Sequence, residues 1–189
     1  GCGFTVEYDY ENCKKIIKYK PCVRQPVDPN DIIGPEGYGE EHWVPADNKL
    51  DYMIRYENDP EFATAPAQKV TITQQLDSNL DFRTFRLGTF GFGGLVFEVP
   101  ENRASYSTRI DLVQERGYYV DVTAGIDVFA GQAFWTLVTI DPETGEQPLE
   151  ADVGFLAINN EEGAGEGYVT YSVRPKRTAD TGDIVDAQA

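Results

Sequence analysis

The sequence predicts an all-β protein, an antiparallel β-sandwich, on three observations. Short runs alternate apolar and polar residues, and Gly, Pro, Asn and Asp separate them. No stretch carries a long 3.6-residue apolar period, so no substantial helix is expected. Eighteen glycines, eleven prolines and 12% aromatics in 189 residues suit a fold with many turns, and 41% hydrophobic residues suffice for a packed core.

The runs follow one another along the chain. Phe4, Val6, Tyr8 and Tyr10 alternate, "YENC" turns, and "KKIIKYK" returns, which predicts an N-terminal β-hairpin. Pro21, Pro26 and Pro29 stiffen the junction that follows. The segment from Ile32 to Asn48 is rich in Gly and Pro and reads as a long loop. Leu50, Tyr52, Ile54 and Tyr56 alternate as a strand with one buried face, and Val70 and Ile72 read as its neighbour. "LDSNLDFRTFRL" has apolar residues at Leu76, Leu80, Phe82 and Phe85, a spacing closer to a turn or short helix than to a strand. "GTFGFGG" reads as a bent or bulged strand with Phe90 and Phe92 packed inward. "GLVFEV", "YSTRIDLV", "YYVDVTAGIDV" and "AFWTLVTI" follow as strands, with a hairpin turn at Ala130-Gly131. "DPETGE" turns, the loop "NNEEGAGEG" leads on, and "YVTYSVRP" is the last long strand.

Charge divides the chain. Residues 1–27 hold five basic and three acidic side chains, whereas residues 28–189 hold eleven and twenty-nine. Two units are expected: a cysteine-containing hairpin or tail of a preceding module at 1–27, and a sandwich module at 28–189. The overall charge of −16 would repel a phosphate backbone, which argues against nucleic acid as partner. Solubility is the simpler use of this charge, and cation binding the sharper one. No apolar run has the length of a membrane span. No signal-like segment opens the chain, so it is expected to begin at a processed or excised boundary. Cys2, Cys13 and Cys22 cluster at one end, which predicts one local disulfide, an oxidising compartment and one thiol left over.

"VDPND", "LDYMIRYEND…ATAPAQKVTITQQLDSNLDFRTFRL" and "GYVTYSVRPK…TGDIVDAQA" together resemble an uncharacterised immunoglobulin-like repeat module of large bacterial surface and secreted proteins. The likeness spans most of residues 28–189 and leaves out the cysteine-bearing start. It implies an immunoglobulin-like sandwich, here with an N-terminal hairpin extension, at the cell surface or outside the cell. It implies neighbouring modules or identical subunits as partners, and it transfers no catalytic residue. The pattern also implies a further strand, of which Ile184, Val185 and Ala187 are the beginning. The simpler explanation of a sandwich short of a strand is a truncated end; the alternative is completion by another chain, with the basic segment Phe4–Lys20 as candidate donor for a head-to-tail filament.

The residues offer little catalytic chemistry. There is no G-x-S-x-G elbow, and His42, in the flexible "GEEHW" loop, is the sole histidine for any triad. Thirty-two acidic residues nominate no particular pair for glycoside hydrolysis. "GTFGFGG" lacks the Lys-Ser/Thr ending and the helix of a phosphate cradle. No enzyme is predicted. Calcium is the leading ligand, since hard cations take carboxylate and amide oxygens from loops. The candidates are Asp28, Asn30, Asp31 and Glu36 at the junction, and Glu57 and Asp59 in "YENDPE". For any single one of these residues, turn formation is the preferred reading. Carbohydrate is the other candidate partner. Tyr38 and Trp43 would supply its platform, whereas Trp135 lies in a strand and reads as core. The expected function is an extracellular structural or adhesive module of a large surface protein or fibre, with strand exchange as one mode of assembly. The alternative is a carbohydrate- or peptide-binding module of a secreted protein.

Overall fold

The computed structural model describes residues 30–35, 49–177 and 187 in full, and the backbone of four further strands at 3–9, 14–20, 43–45 and 184–185. Cys2, Cys13, Cys22, Asp28, Glu36, Tyr38, His42 and the side chain of Trp43 lie outside the described residues, so the expectations attached to them rest on sequence.

Thirteen strands and one single-turn helix are described. They are β1 (Gly3–Asp9), β2 (Lys14–Lys20), β3 (Asp31–Ile33), β4 (Trp43–Pro45), β5 (Leu50–Glu57), β6 (Lys69–Gln75), β7 (Leu80–Phe92), β8 (Leu95–Phe97), β9 (Tyr106–Leu112), α1 (Val113–Arg116), β10 (Tyr118–Asp127), β11 (Gln132–Ile140), β12 (Glu166–Pro175) and β13 (Ile184–Val185). All described pairings are antiparallel. One sheet runs β3-β5-β12-β7-β8 and a second runs β6-β11-β10-β9. Their inner faces share a single apolar core, which makes the chain a β-sandwich. A small third sheet, β13-β1-β2-β4, joins the N-terminal hairpin to two short strands from elsewhere in the chain.

Alternation is realised where it was strongest. Leu50, Tyr52, Ile54 and Tyr56 are all buried, and Asp51 and Arg55 between them are exposed. Val122 and Ala124 of β10 face inward across from Leu137 and Trp135 of β11, and Val120 and Ala133 are buried on the same face. Aromatic rings then bridge the sheets. Phe85 (β7) meets Trp135 (β11) edge-on at 6.2 Å, and Tyr171 (β12) stacks on Phe85 at 5.4 Å and on Tyr52 (β5) at 5.0 Å. Each such pair adds about 0.5–1.5 kcal/mol beyond area burial.

Three expectations need correction. "LDSNLDFRTFRL" is neither a helix nor only a turn: it turns at Asp77–Asn79, where Asp77 accepts the Asn79 N–H at 2.7 Å, and continues as β7. Its period was obscured because β7 slips register against β12 twice, between Val169 and Tyr171 and between Ser172 and Arg174. The inward residues Leu80, Phe85, Leu87, Phe90 and Phe92 are therefore unevenly spaced. Phe90 and Phe92 do pack inward, and "GTFGFGG" is a bulged strand as expected. Second, Val70 and Ile72 do not neighbour β5. Strand β6 crosses to the other sheet and pairs with β11, while β5 lies between β3 and β12. Third, the segment from Ile32 to Asn48 is not wholly loop, since it holds the end of β3 and all of β4.

Candidate functional site

The chain turns from β5 to β6 through "NDPEFATAPAQ", and from β11 to β12 through residues 141–165. Strand polarity places both connections at the same pole of the sandwich. They are joined by backbone hydrogen bonds. Asn58 donates to the Gly165 carbonyl at 2.9 Å, and Asn159 donates to the Asn58 carbonyl at 2.9 Å. Ala67 and Leu156 form a two-way bridge, at 2.8 and 3.3 Å. Gly165 permits the close approach: a Cβ there would lie 2.4 Å from the Asn159 nitrogen.

The side chains at this pole serve the same connections. The Asn58 amide donates to the carbonyls of Ala65 and Leu156, at 3.0 and 3.2 Å. Asp59 accepts the N–H of Glu61 at 2.8 Å, an Asx turn that starts the loop. Asn160 accepts the N–H groups of Glu162 and Ala164, at 3.0 and 3.1 Å. Glu57 and Glu166 occupy directly opposed positions on β5 and β12. Asn159 lies between them, its amide nitrogen 2.5 Å from Glu57 Oε2 and 3.4 Å from Glu166 Oε1. This arrangement offsets like-charge repulsion across the ladder.

Among the calcium candidates in the described residues, Asp31 is engaged by Arg55. The guanidinium binds it through two nitrogens, one of them Nε at 2.8 Å from Oδ1, and the pair raises the Arg55 pKa. Asn30 precedes it on the surface. Glu57 and Asp59 share the loop pole but each serves a protein donor. Among the described residues, no three or more His, Cys, Asp or Glu side chains gather as a metal-binding group. Asn159 and Glu166 were not singled out from the sequence, and the signal was the Asn-Asn pair in "NNEEGAGEG", a pattern suited to side-chain caps.

A second feature lies near the start of β9. An open groove of about 460 Å³ is lined by Arg103, Ser105, Tyr106, Ser107, Thr123 and Phe134, among others. The Phe134 ring lies over Gly125, where a Cβ would be 3.1 Å from its tip. Asn102, in a left-handed conformation, accepts from Arg86 Nε at 2.8 Å, and the Arg103 carbonyl accepts the Leu87 N–H at 2.7 Å. The backbone that carries Arg103 is thus fixed. Trp135, by contrast, is core as expected, with 2% of its surface exposed. The sequence concealed this groove because its residues come from three strands and a connecting loop, none with a distinctive local motif.

No helix among the described residues is long and apolar enough to cross a membrane. No curated protein and no solved structure matches the chain. Residues 28–104, less than half of the chain, match the model of a family described as a domain of unknown function, DUF7619. The match covers β3 through β8 and stops before β9. Over that span the chain is similar to an uncharacterised domain, as the reading of an uncharacterised module anticipated.

Proposed function

We propose that the chain is a structural or adhesive β-sandwich module of an extracellular surface protein or fibre. The observation that supports this most is the polar loop pole. There the polar residues Asn58, Asp59, Asn159 and Asn160 are engaged in hydrogen bonds that form and join the two connections. The immunoglobulin-like repeat character belongs to this reading too, and rests on the motifs in "YENDPEFATAPAQ" and "GYVTYSVRPK". Strand exchange would be its mode of assembly. Strand β1 pairs with β13 within one chain, Phe4 against Val185 and Thr5 against Ile184, and the same rungs formed between chains would link them head to tail. Antibodies against the chain should label intact, unpermeabilised source cells or their shed fibres. Signal only after permeabilisation would overturn the reading.

A second reading, a carbohydrate-binding module, is favoured by the groove beside β9. It combines an aromatic ring, three hydroxyls and a cation in one concave surface.

A further inference from the structure

We infer that the groove at the start of β9 binds a carboxylated sugar, a hexuronate unit of an acidic polysaccharide. The inference rests on the carbohydrate reading above and names its ligand class. Three features of the groove carry it. Arg103 lines the wall and, unlike Arg55, Arg83 and Arg109, has no carboxylate partner among the described residues. Its guanidinium matches a planar carboxylate with two parallel N–H donors. Ser105, Ser107 and Thr123 supply hydroxyls that donate and accept, as a polyol ligand requires. Ser107 and Thr123 lie only 3.4 Å apart across β9 and β10, so they act at one spot. Phe134 adds apolar ring surface against which a pyranose face packs, while the Tyr106 ring belongs to the inward face of β9 and packs on the core.

The overall charge of −16 is unevenly placed. The end of the sandwich where β7 begins and β12 finishes carries Arg83, Arg86, Arg174 and Lys176 together with Asp77, Asp81, Glu101 and Asp127, Arg83 being paired with Asp81, and Arg103 lies on the loop tied to Arg86 and Leu87. Glu57, Asp59, Glu61, Glu161, Glu162 and Glu166 belong to the opposite pole, several Debye lengths away along the strands at physiological salt. A carboxylate approaching the groove thus meets a surface of mixed charge, away from the most acidic pole, on which Arg103 has no carboxylate partner among the described residues. The volume, about 460 Å³, suits one or two sugar units.

The test is calorimetric titration of the full chain with trigalacturonate, with neutral galactotriose, and with a hexaglutamate peptide. Trigalacturonate should bind saturably and about tenfold more tightly than galactotriose, the worth of one charged hydrogen-bonded pair. Arg103→Gln should erase that preference. This exposed substitution leaves the core untouched, and a matching melting curve establishes that the variant is folded. Phe134→Leu should weaken both sugars. Equal binding of the two sugars overturns the acidic-sugar inference while leaving the carbohydrate reading in place. No binding of either sugar overturns both. Hexaglutamate binding as tightly as trigalacturonate, or an Arg103→Gln variant that keeps the preference, also overturns the inference.

Discussion

Glu57 and Glu166 face each other directly across β5 and β12, with the Asn159 amide between their carboxylates. Two like charges at opposed positions destabilise a ladder unless a donor intervenes. Asn159→Ala removes that donor, and removes the oxygen that accepts the Asn160 and Gly165 N–H groups, both at 3.0–3.1 Å. The expected loss is about 1–3 kcal/mol, measured by urea denaturation with an unchanged slope. A loss under a few tenths would mean that the loops hold together without it.

The same geometry sharpens the calcium proposal. Of the described candidates Asn30, Asp31, Glu57 and Asp59, Asp31 is engaged by Arg55, and Glu57 and Asp59 already accept from the Asn159 amide and the Glu61 N–H, so a cation there has to compete with these donors. A cation that binds only the folded state raises the melting midpoint with concentration. The midpoint should rise with Ca²⁺ more than with equal Mg²⁺, fall on chelation, and lose this response in Glu57→Gln. An unchanged midpoint in calcium and in chelator leaves these acids as turn formers and surface charge.

Tyr56 supplies a test of the core. Its ring packs on Gly167 of β12, where a Cβ would lie 2.3 Å away, and its buried hydroxyl has no hydrogen-bond partner among the described residues. Burial pushes the Tyr56 and Tyr171 phenols well above their ordinary value. The folded state therefore favours the protonated phenols. Their contribution to stability is intact below the unfolded value of about 10 and is lost as pH rises past it toward the raised folded values. Alkaline unfolding should coincide with the rise of tyrosinate absorbance. Tyr56→Phe should stabilise at neutral pH by about 1 kcal/mol, a midpoint gain of about 2–4 °C, and should lessen the alkaline loss. Destabilisation by this change would show that the hydroxyl has a partner in solution.

These residues also show what the sequence could and could not convey. Leu50, Tyr52, Ile54 and Tyr56 advertise a buried face because β5 keeps a strict two-residue period from end to end. Strand β7 does not, since two register slips against β12 break the alternation, so its first half read as turn or helix. Pairing was less legible still. Val70 and Ile72 are half-buried residues on an alternating strand in either sheet, and nothing local says that the chain crosses from β5's sheet to β11's. The acidic loop was legible as a loop, but its partner, residues 156–165, lies some hundred positions away, as the Asn58–Leu156 and Glu57–Asn159 contacts show.

The N-terminal segment provides a covalent and an assembly prediction. Two of Cys2, Cys13 and Cys22 should be bridged, leaving one thiol to react under denaturing, non-reducing conditions. Three reactive thiols would rule the bridge out. Strands β1 and β2 pair over seven rungs, and β1 also pairs with β13. If those β13 rungs form between chains, the full chain should assemble into filaments in electron microscopy and light scattering, and a variant lacking residues 1–27 should not. A full chain that stays monomeric, or a shortened chain that assembles equally, contradicts strand exchange.

Native-state hydrogen exchange tests most directly whether the polar pole is a built connection or an open loop. The amides of Asn58, Ala67, Leu156 and Asn159 donate to carbonyls across the two connections at 2.8–3.3 Å. They should exchange orders of magnitude more slowly than the amide of exposed Glu101, and lose protection with the strands in a single cooperative transition. Exchange of these four amides at the rate of an unstructured chain, while β5 and β12 stay protected, would contradict the account.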